Sequence, residues 1–167
     1  MSLWQWHDGE IIPTDVDVIE VQALEQFRVA GLDCVVRAGF HTLNGYVRRP
    51  PLLADLALAD LDEVGDPHGG FTFEDPDHGW VGFDTGHAFD YWNPDDLAGL
   101  VGDEGLMVAA IQWRIYTDHP PILGFPAFRW TRAAVRAETF RVAWALADYT
   151  LLVAASRMLP APGQVRA

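Results

Sequence analysis

The chain has 167 residues, 50% of them hydrophobic and 12% aromatic, a length and composition that fit one folded domain and exclude a largely disordered protein. The formal net charge is −13, and residues 50–113 carry fourteen acidic residues and no basic residue. This acidic stretch argues against a nucleic-acid-binding protein, because binding to phosphates requires Lys or Arg to displace counterions.

Export and membrane signals are not found in the sequence. Residues 1–8 contain no basic segment followed by an apolar stretch, so we expect no signal peptide. The longest apolar run, residues 142–155, is shorter than the ~20 residues of a membrane span, and it contains Asp148. Cys34 is the only cysteine, so no internal disulfide and no cysteine-based zinc cluster is expected. These features favour a cytoplasmic protein that does not contact a membrane.

Short strands are predicted in the first 50 residues. Trp4 and Trp6 alternate with other residue types, as do Val16 and Val18, which indicates short edge strands. Three later segments have strand composition and are separated by turn-forming residues at 30–33 and 41–45; they are residues 27–29, 34–37 and 46–48. Their close spacing predicts a three-stranded antiparallel meander.

A short helix and a second hairpin are predicted next. Apolar residues within 52–59 fall at helical spacing and favour one or two helical turns. Residues 70–73 and 80–84 are typical of strands and are joined by a loop that begins at Asp75. With Glu74 opposite Gly79, the loop sets the pairing of the two strands, which we expect to lie in the same antiparallel sheet as the meander.

Helices are predicted in the second half of the chain. Asn93 followed by Pro94 is typical of a helix N-terminus. Residues 107–116 fit a helix or a strand, and the sequence leaves both open. Residues 131–158 predict one long helix, because apolar residues recur along them at alternating spacings of four and three.

This long helix carries two apolar stripes. One contains Ala133, Ala137, Phe140, Trp144, Ala147, Leu151, Ala154 and Met158, and the other contains Val135, Val142, Leu146, Tyr149 and Val153. A helix that is apolar on two sides needs two partners. We expect the sheet to be one partner. We expect a neighbouring helix or a second subunit to be the other and to bury Val135, Val142, Leu146 and Val153. The pattern favours a homodimer.

The predicted architecture is therefore α+β, with an antiparallel sheet of about five strands packed against the long C-terminal helix. Residues 1–159 are expected to form a single domain, and residues 160–167 a flexible tail.

One polar constellation stands out in the second hairpin region: His68, Asp84, His87 and Asp90. The predicted pairing places His68 across the hairpin from Thr85, and His87 and Asp90 follow the end of the second strand. Two imidazoles and two carboxylates in one place suit Zn²⁺, Mn²⁺ or Fe²⁺, and they equally suit a His–Asp acid–base pair. Alternatively, the same side chains form a structural hydrogen-bond network or part of a recognition surface. His41, in a hairpin turn, is a further candidate near this site.

The same region resembles a known family. The segments 45–47, 68–73 and 80–87, followed by Asp90, are similar to a family of small uncharacterised bacteriophage and actinobacterial proteins with an H-G-G-[LF]-T stretch and a W-x-G-F-D-C-A-H stretch followed by Gly-Asp. The chain departs from this pattern at Thr85 and Gly86, where the family has Cys-Ala, and at Phe89, where it has Gly. The resemblance implies a small phage-type accessory protein with a functional focus at His68, Asp84, His87 and Asp90.

Two functional hypotheses follow from the sequence. The first is an accessory or host-interaction protein that binds another protein through its acidic middle or through the second stripe of the long helix, which begins at Val135. The second is a small metal-dependent hydrolase built on the His/Asp constellation, with zinc or manganese as the metal.

Overall fold

The computed structural model describes residues 4–7, 10–13, 17–118 and 127–158. The strands are β1 (Trp4–His7), β2 (Glu10–Pro13), β3 (Ala23–Val29), β4 (Leu32–Ala38), β5 (Leu43–Arg48), β6 (Phe73–Asp75), β7 (Trp80–Phe83), β8 (Asp90–Trp92) and β9 (Phe128–Trp130). The helices are α1 (Val18–Val21), α2 (Leu58–Gly65), α3 (Pro94–Leu97), α4 (Asp103–Asp118) and α5 (Arg132–Met158), with a 3-10 turn at Pro51–Leu53.

The central feature is a five-stranded antiparallel sheet in the order β3-β4-β5-β7-β6, and α5 packs against it. The prediction of an α+β fold with this sheet and this helix is confirmed. Two smaller pairings accompany it: β1 pairs with β2 as an antiparallel hairpin, and β8 pairs with β9 in parallel.

The predicted meander is β3-β4-β5. Its first connection is shorter than expected, because Leu32 pairs with Val29 and leaves only Ala30 and Gly31 as the turn. Both turn residues have positive φ angles, 48° and 87°, the backbone geometry that matches the right-handed twist of a two-residue hairpin.

The second hairpin, β6-β7, forms with a pairing shifted by two residues from the predicted one. Glu74 pairs with Val81 and not with Gly79. The cause is Asp75, whose Oδ1 accepts hydrogen bonds from the backbone N–H groups of Asp77 and His78, both at 3.1 Å. This local turn holds the chain so that Asp75 remains a strand residue opposite Trp80.

Each face of the sheet has its own apolar cluster. On one face, Val36, Val47 and Val81 are completely buried beneath α5 and α2. On the other face, Tyr46 and Trp80 pack with Ile19 of α1. Helix α1 is anchored there because Asp17 caps its N-terminus and accepts a hydrogen bond from the Trp80 indole at 2.9 Å. Val18 therefore belongs to a helix and not to the edge strand that the alternation with Val16 indicated.

Helix α5 buries only one of its two apolar stripes. Val135, Val142 and Leu146 are fully buried within the chain by the sheet and α2, and Val153 is half-buried. We call these residues, with Tyr149, the inner stripe. The other stripe, which we call the outer stripe, consists of Ala133, Ala137, Phe140, Trp144, Ala147, Leu151, Ala154 and Met158; its large side chains are exposed. The inner stripe, expected to pack on a neighbouring helix or a second subunit, thus packs on both the sheet and α2, and the outer stripe is the one that the described residues leave exposed.

Three further expectations concern single segments. Residues 107–116, which fitted either a helix or a strand, lie in α4. Asn93 caps α3 as predicted, and its side chain accepts a hydrogen bond from the Asp95 N–H. Residues 160–167, expected to be a flexible tail, lie outside the described residues. Among the helices in the described segments, none combines the length and apolar character required to span a bilayer.

Candidate metal centre

His68, His87 and Asp90 converge at one point of the molecule. One ring nitrogen of each histidine and one carboxylate oxygen of Asp90 all lie within 4.8 Å of one another. His68 Nε2 is 3.0 Å from both oxygens of Asp90, and His87 Nδ1 is 3.4 Å from Asp90 Oδ2. Asp90 is almost completely buried, at 2% exposure, while both imidazoles are partly open to solvent.

A tight loop after α2 positions His68. Asp66 ends α2 in the left-handed conformation, and Gly70 N donates a hydrogen bond to Pro67 O at 2.9 Å, which closes the turn around His68. The backbone N–H of His68 donates to Glu138 Oε1 of α5 at 3.0 Å. The loop and α5 together therefore determine where this imidazole lies.

Gly69 is required for the contact between the two histidines. Its φ angle is +75°, and a Cβ added there would lie 2.2 Å from Cε1 of His87. No side chain fits in that space, so the His87 imidazole packs directly on the backbone of the loop. The rings of His68 and His87 meet edge to face with centroids 5.7 Å apart.

The turn between β7 and β8 positions His87 and Asp90. Asp90 N donates to His87 O at 3.0 Å, and His87 N donates to Asp90 Oδ2 at 3.3 Å. Phe89, inside this turn, has a φ angle of +76°, a conformation that favours glycine.

Asp84, the fourth residue of the predicted constellation, lies at the edge of the cluster. Its Oδ1 accepts a hydrogen bond from Gly86 N at 2.9 Å and is 3.8 Å from His87 Nδ1. It thus supports the turn that carries His87, and it lies outside the group of three whose donor atoms converge. His68 lies in the turn after α2, before β6 begins at Phe73, and so it does not pair with Thr85.

Two aromatic side chains pack against His68. Its ring centroid is 5.6 Å from that of Phe128 and 5.2 Å from that of Trp130, both on β9. Phe128 is exposed and Trp130 is buried. Neither residue was predicted to lie at the site. Their alternation about Arg129 is typical of a strand and could have predicted β9.

Two titratable groups near the cluster have shifted pKa values. Burial lowers the pKa of the His41 imidazole, and the Asp84 carboxylate opposes that shift. Both ring nitrogens of His41 are buried and make no hydrogen bond within the described segments. His41 therefore adjoins the Asp84 side of the site, as a neutral imidazole.

Glu138 links the site to α5. Burial alone would raise its pKa, but hydrogen bonds from the Arg141 guanidinium and from the His68 backbone outweigh burial and hold the pKa of this carboxyl below its ordinary value. The ionised carboxylate and Arg141 are joined at 2.8 and 2.9 Å. Sequence reasoning missed Glu138, because it is separated by 70 positions from the histidine whose backbone it holds.

The three convergent donor atoms are of the types that could hold a metal ion. Two imidazole nitrogens and a carboxylate suit Zn²⁺, Mn²⁺ or Fe²⁺. His87 Nδ1 is buried and has no hydrogen-bond partner among the described residues, although it faces the Asp90 carboxylate. Comparison of the chain with protein-family models, with curated proteins and with solved structures gave no match.

Proposed function

We propose that this protein binds one divalent transition-metal ion, with Zn²⁺ the first candidate, through His68, His87 and the Asp90 carboxylate, and uses it for hydrolysis. The observation that carries the proposal is the convergence of three donor atoms within 4.8 Å around a buried carboxylate. A purely structural hydrogen-bond network accounts less well for His87, whose buried Nδ1 lacks a hydrogen bond among the described residues.

The distances between the histidine nitrogens and the Asp90 oxygens agree with coordination of one metal ion. Two ligands bound at ~2.0–2.1 Å to a tetrahedral ion lie about 3.3 Å apart. His68 Nε2 lies 3.0 Å from Asp90 Oδ1, and His87 Nδ1 lies 3.4 Å from Asp90 Oδ2. All three donor atoms lie within 4.8 Å of one another, so adjustment of the partly exposed imidazoles would let them share one ion.

Three protein ligands are the arrangement of catalytic zinc sites, in which the remaining position holds water. A metal ion there lowers the pKa of bound water to about 7 and so supplies a nucleophile at neutral pH. The partial exposure of His68 and His87 leaves that position accessible to a substrate. In hydrolysis, an oxygen of water would bond to the substrate's acyl carbon or phosphorus while the bond from that atom to the leaving oxygen breaks. One proton of water would go to the leaving oxygen, and the other would remain with the acid product or pass to solvent.

Metal binding can be tested on protein purified without chelators or metal-affinity resin. We expect one equivalent of Zn²⁺ by elemental analysis and by calorimetric titration with zinc chloride. His87→Ala should remove binding, and His78→Ala is the matched control, because His78 also pairs with an aspartate three residues away, with Nδ1 2.9 Å from Asp75 Oδ2. Zinc binding that survives His87→Ala, or no binding by the unmodified protein, would contradict the proposal.

Hydrolysis is tested separately with p-nitrophenyl acetate and p-nitrophenyl phosphate. Metal-dependent turnover of either ester that is lost in His87→Ala and retained in His78→Ala would support the hydrolase assignment. Metal binding without turnover of these or related esters would restrict the role of the site to metal binding.

A second candidate function is favoured by α5. We propose that the outer stripe binds a protein partner, since Trp144 and Leu151 are exposed by 52% and 69%. This is the role of an accessory protein of phage type, which the sequence resemblance implies. A reducing cytoplasm is the compartment that fits either function, because Cys34 is a free thiol.

A further inference from the structure

The outer stripe of α5 has the spacing of a coiled-coil seam. Its residues alternate at four and three positions along the helix from Ala133 to Met158, which is the repeat that two-stranded helical pairs use. The helix has 27 residues and is therefore about 40 Å long. Phe140 and Trp144 near its middle are exposed by 46% and 52%. A seam of this length on one helix requires a second helix of similar length.

We propose that the partner is a second copy of the chain, and that the two α5 helices pair antiparallel along their outer stripes about a two-fold axis. The inference rests on the protein-binding role proposed above for α5 and is independent of the metal site. With the axis near the middle of the stripe, Trp144 faces the partner's Ala147, and Phe140 faces the partner's Leu151. Each large indole then meets a small residue, which lets the helices approach closely.

The residues at both ends of the outer stripe also find partners in this antiparallel alignment of the two helices. Ala137 faces the partner's Ala154, and Ala133 faces the partner's Met158, so every stripe residue of one chain meets a stripe residue of the other. A two-fold contact of this kind is isologous, because the same patch serves both subunits. The outer stripe is therefore complementary to itself without any other partner.

Charge decides between antiparallel and parallel pairing. Arg141 and Asp148 lie on the same flank of the stripe, each one position after a stripe residue. Antiparallel pairing puts Arg141 opposite the partner's Asp148 on both sides of the axis. Parallel pairing puts Arg136 opposite the partner's Arg141 twice. Within the described residues Asp148 has no hydrogen-bond or ion-pair partner, so its carboxylate is available.

Two symmetry-related pairs of like charges arise in the antiparallel arrangement, each between Arg136 of one chain and the partner's Arg157. Arg136 is drawn away from the stripe, since its Nε lies 3.2 Å from Glu25 and its guanidinium stacks over Phe27 at 4.7 Å. Arg157 lies in the last turn of α5, where a positive charge interacts favourably with the helix dipole. The Arg136 guanidinium is therefore held at Glu25 and Phe27, which reduces its repulsion with the partner's Arg157.

The oligomeric state in solution tests the proposal. Sedimentation at micromolar concentration should give twice the 18.6 kDa chain mass. Trp144→Glu should weaken the dimer at least about tenfold, because it places a carboxylate in the seam without a partner. Ile111→Glu is the matched control, since Ile111 on α4 is exposed by the same 52%.

The outcomes separate the alternatives. A monomer at all concentrations overturns the dimer and leaves the metal proposal untouched. A dimer that is broken by Ile111→Glu and not by Trp144→Glu places the interface on α4 and also overturns the proposal. If circular dichroism shows that Trp144→Glu does not fold, Asp148→Arg replaces it in the test. This variant places an arginine opposite the partner's Arg141 and should also weaken the dimer at least about tenfold.

Cysteine cross-linking tests the register. An oxidised mixture of Ala133→Cys and Met158→Cys proteins should form a disulfide between the two different chains, identified by mass, while each variant alone stays uncross-linked. Cys34, only 1% exposed, does not interfere. Cross-linking of Ala133→Cys with itself would mean parallel pairing and would contradict the antiparallel geometry.

Discussion

Gly69 shows how one residue controls the candidate metal centre. We predict that Gly69→Ala displaces the His87 imidazole, because the added Cβ would lie 2.2 Å from its Cε1. Zinc affinity measured by calorimetry should fall at least about tenfold. Gly99→Ala is the control: Gly99 has nearly the same φ angle, +76°, but no atom within 4 Å of an added Cβ. Both variants share the backbone strain of about 1–2 kcal/mol, so only Gly69→Ala should lose metal. Equal zinc affinity in the two would show that the contact with Gly69 does not position His87.

Thr85 joins three segments in the core beneath that centre. It is fully buried, donates a hydrogen bond to Leu43 O at 2.8 Å and accepts one from the Trp92 indole at 3.0 Å. We predict that Thr85→Val, which has nearly the same shape, lowers the free energy of unfolding by about 1–3 kcal/mol, because it leaves two buried polar groups without partners.

Urea unfolding measures this loss, and Thr85→Ser, which keeps the hydroxyl, should retain most of the stability. A valine variant as stable as the original protein would mean that water or a local rearrangement satisfies Leu43 O and Trp92 Nε1. The hydroxyl of Thr85 thus has a hydrogen-bonding role in the core.

At the scale of elements, the contact between α5 and the sheet depends on Gly45. An added Cβ at this position would lie 2.2 Å from Thr139 Oγ1 and 2.5 Å from Phe83 Cζ. We predict that Gly45→Ala forces α5 away from β5 and lowers the free energy of unfolding by about 1–3 kcal/mol or more.

The control is Gly102→Ala, since an added Cβ at Gly102, just before α4, has nothing within 4 Å. Urea titration should give a stability for Gly102→Ala close to that of the original protein. If both glycine variants unfold at the same urea concentration, the helix and the sheet do not meet as closely as described.

Some strands and helices were predicted correctly from the sequence, and some of the contacts between them were not. The meander and α5 were predicted because their patterns, alternation and a repeat of four and three, are local properties of the chain. The register of β6 with β7 was missed by two residues, because the side chain of Asp75 holds the turn in a way that composition does not reveal. The parallel pairing of β8 with β9 joins segments far apart in sequence, and no local pattern encodes such a contact.

At the scale of the whole molecule, the uneven charge should make stability depend on salt. The chain has 24 acidic residues and 11 basic ones, so repulsion among carboxylates outweighs the ion pairs. We predict that sodium chloride at physiological strength, compared with low salt, raises Tm by roughly 2–4 °C, which corresponds to about 1 kcal/mol for a chain of this size. Glu63→Gln, which removes an exposed acid near the end of α2, should raise Tm at low salt and reduce the response. A fall in Tm with added salt would mean that ion pairs such as Arg28–Asp33 dominate.

The sequence by itself determined the α+β content, the antiparallel meander, the long two-sided helix and the residue types of the candidate site, because each follows from periodicity and side-chain chemistry along a short stretch. Only the tertiary structure decided which stripe of α5 is buried, and which of the four predicted residues converge. Both depend on contacts between distant segments: the inner stripe fits against β5 and α2, and His68 reaches Asp90 because Gly69 leaves room for His87 and Glu138 holds the loop. The sequence pattern of α5 is the same for burial of either stripe, and packing against the sheet and α2 determines that the inner stripe is buried. Packing likewise brings His68, His87 and Asp90 together and leaves the large side chains of the outer stripe exposed.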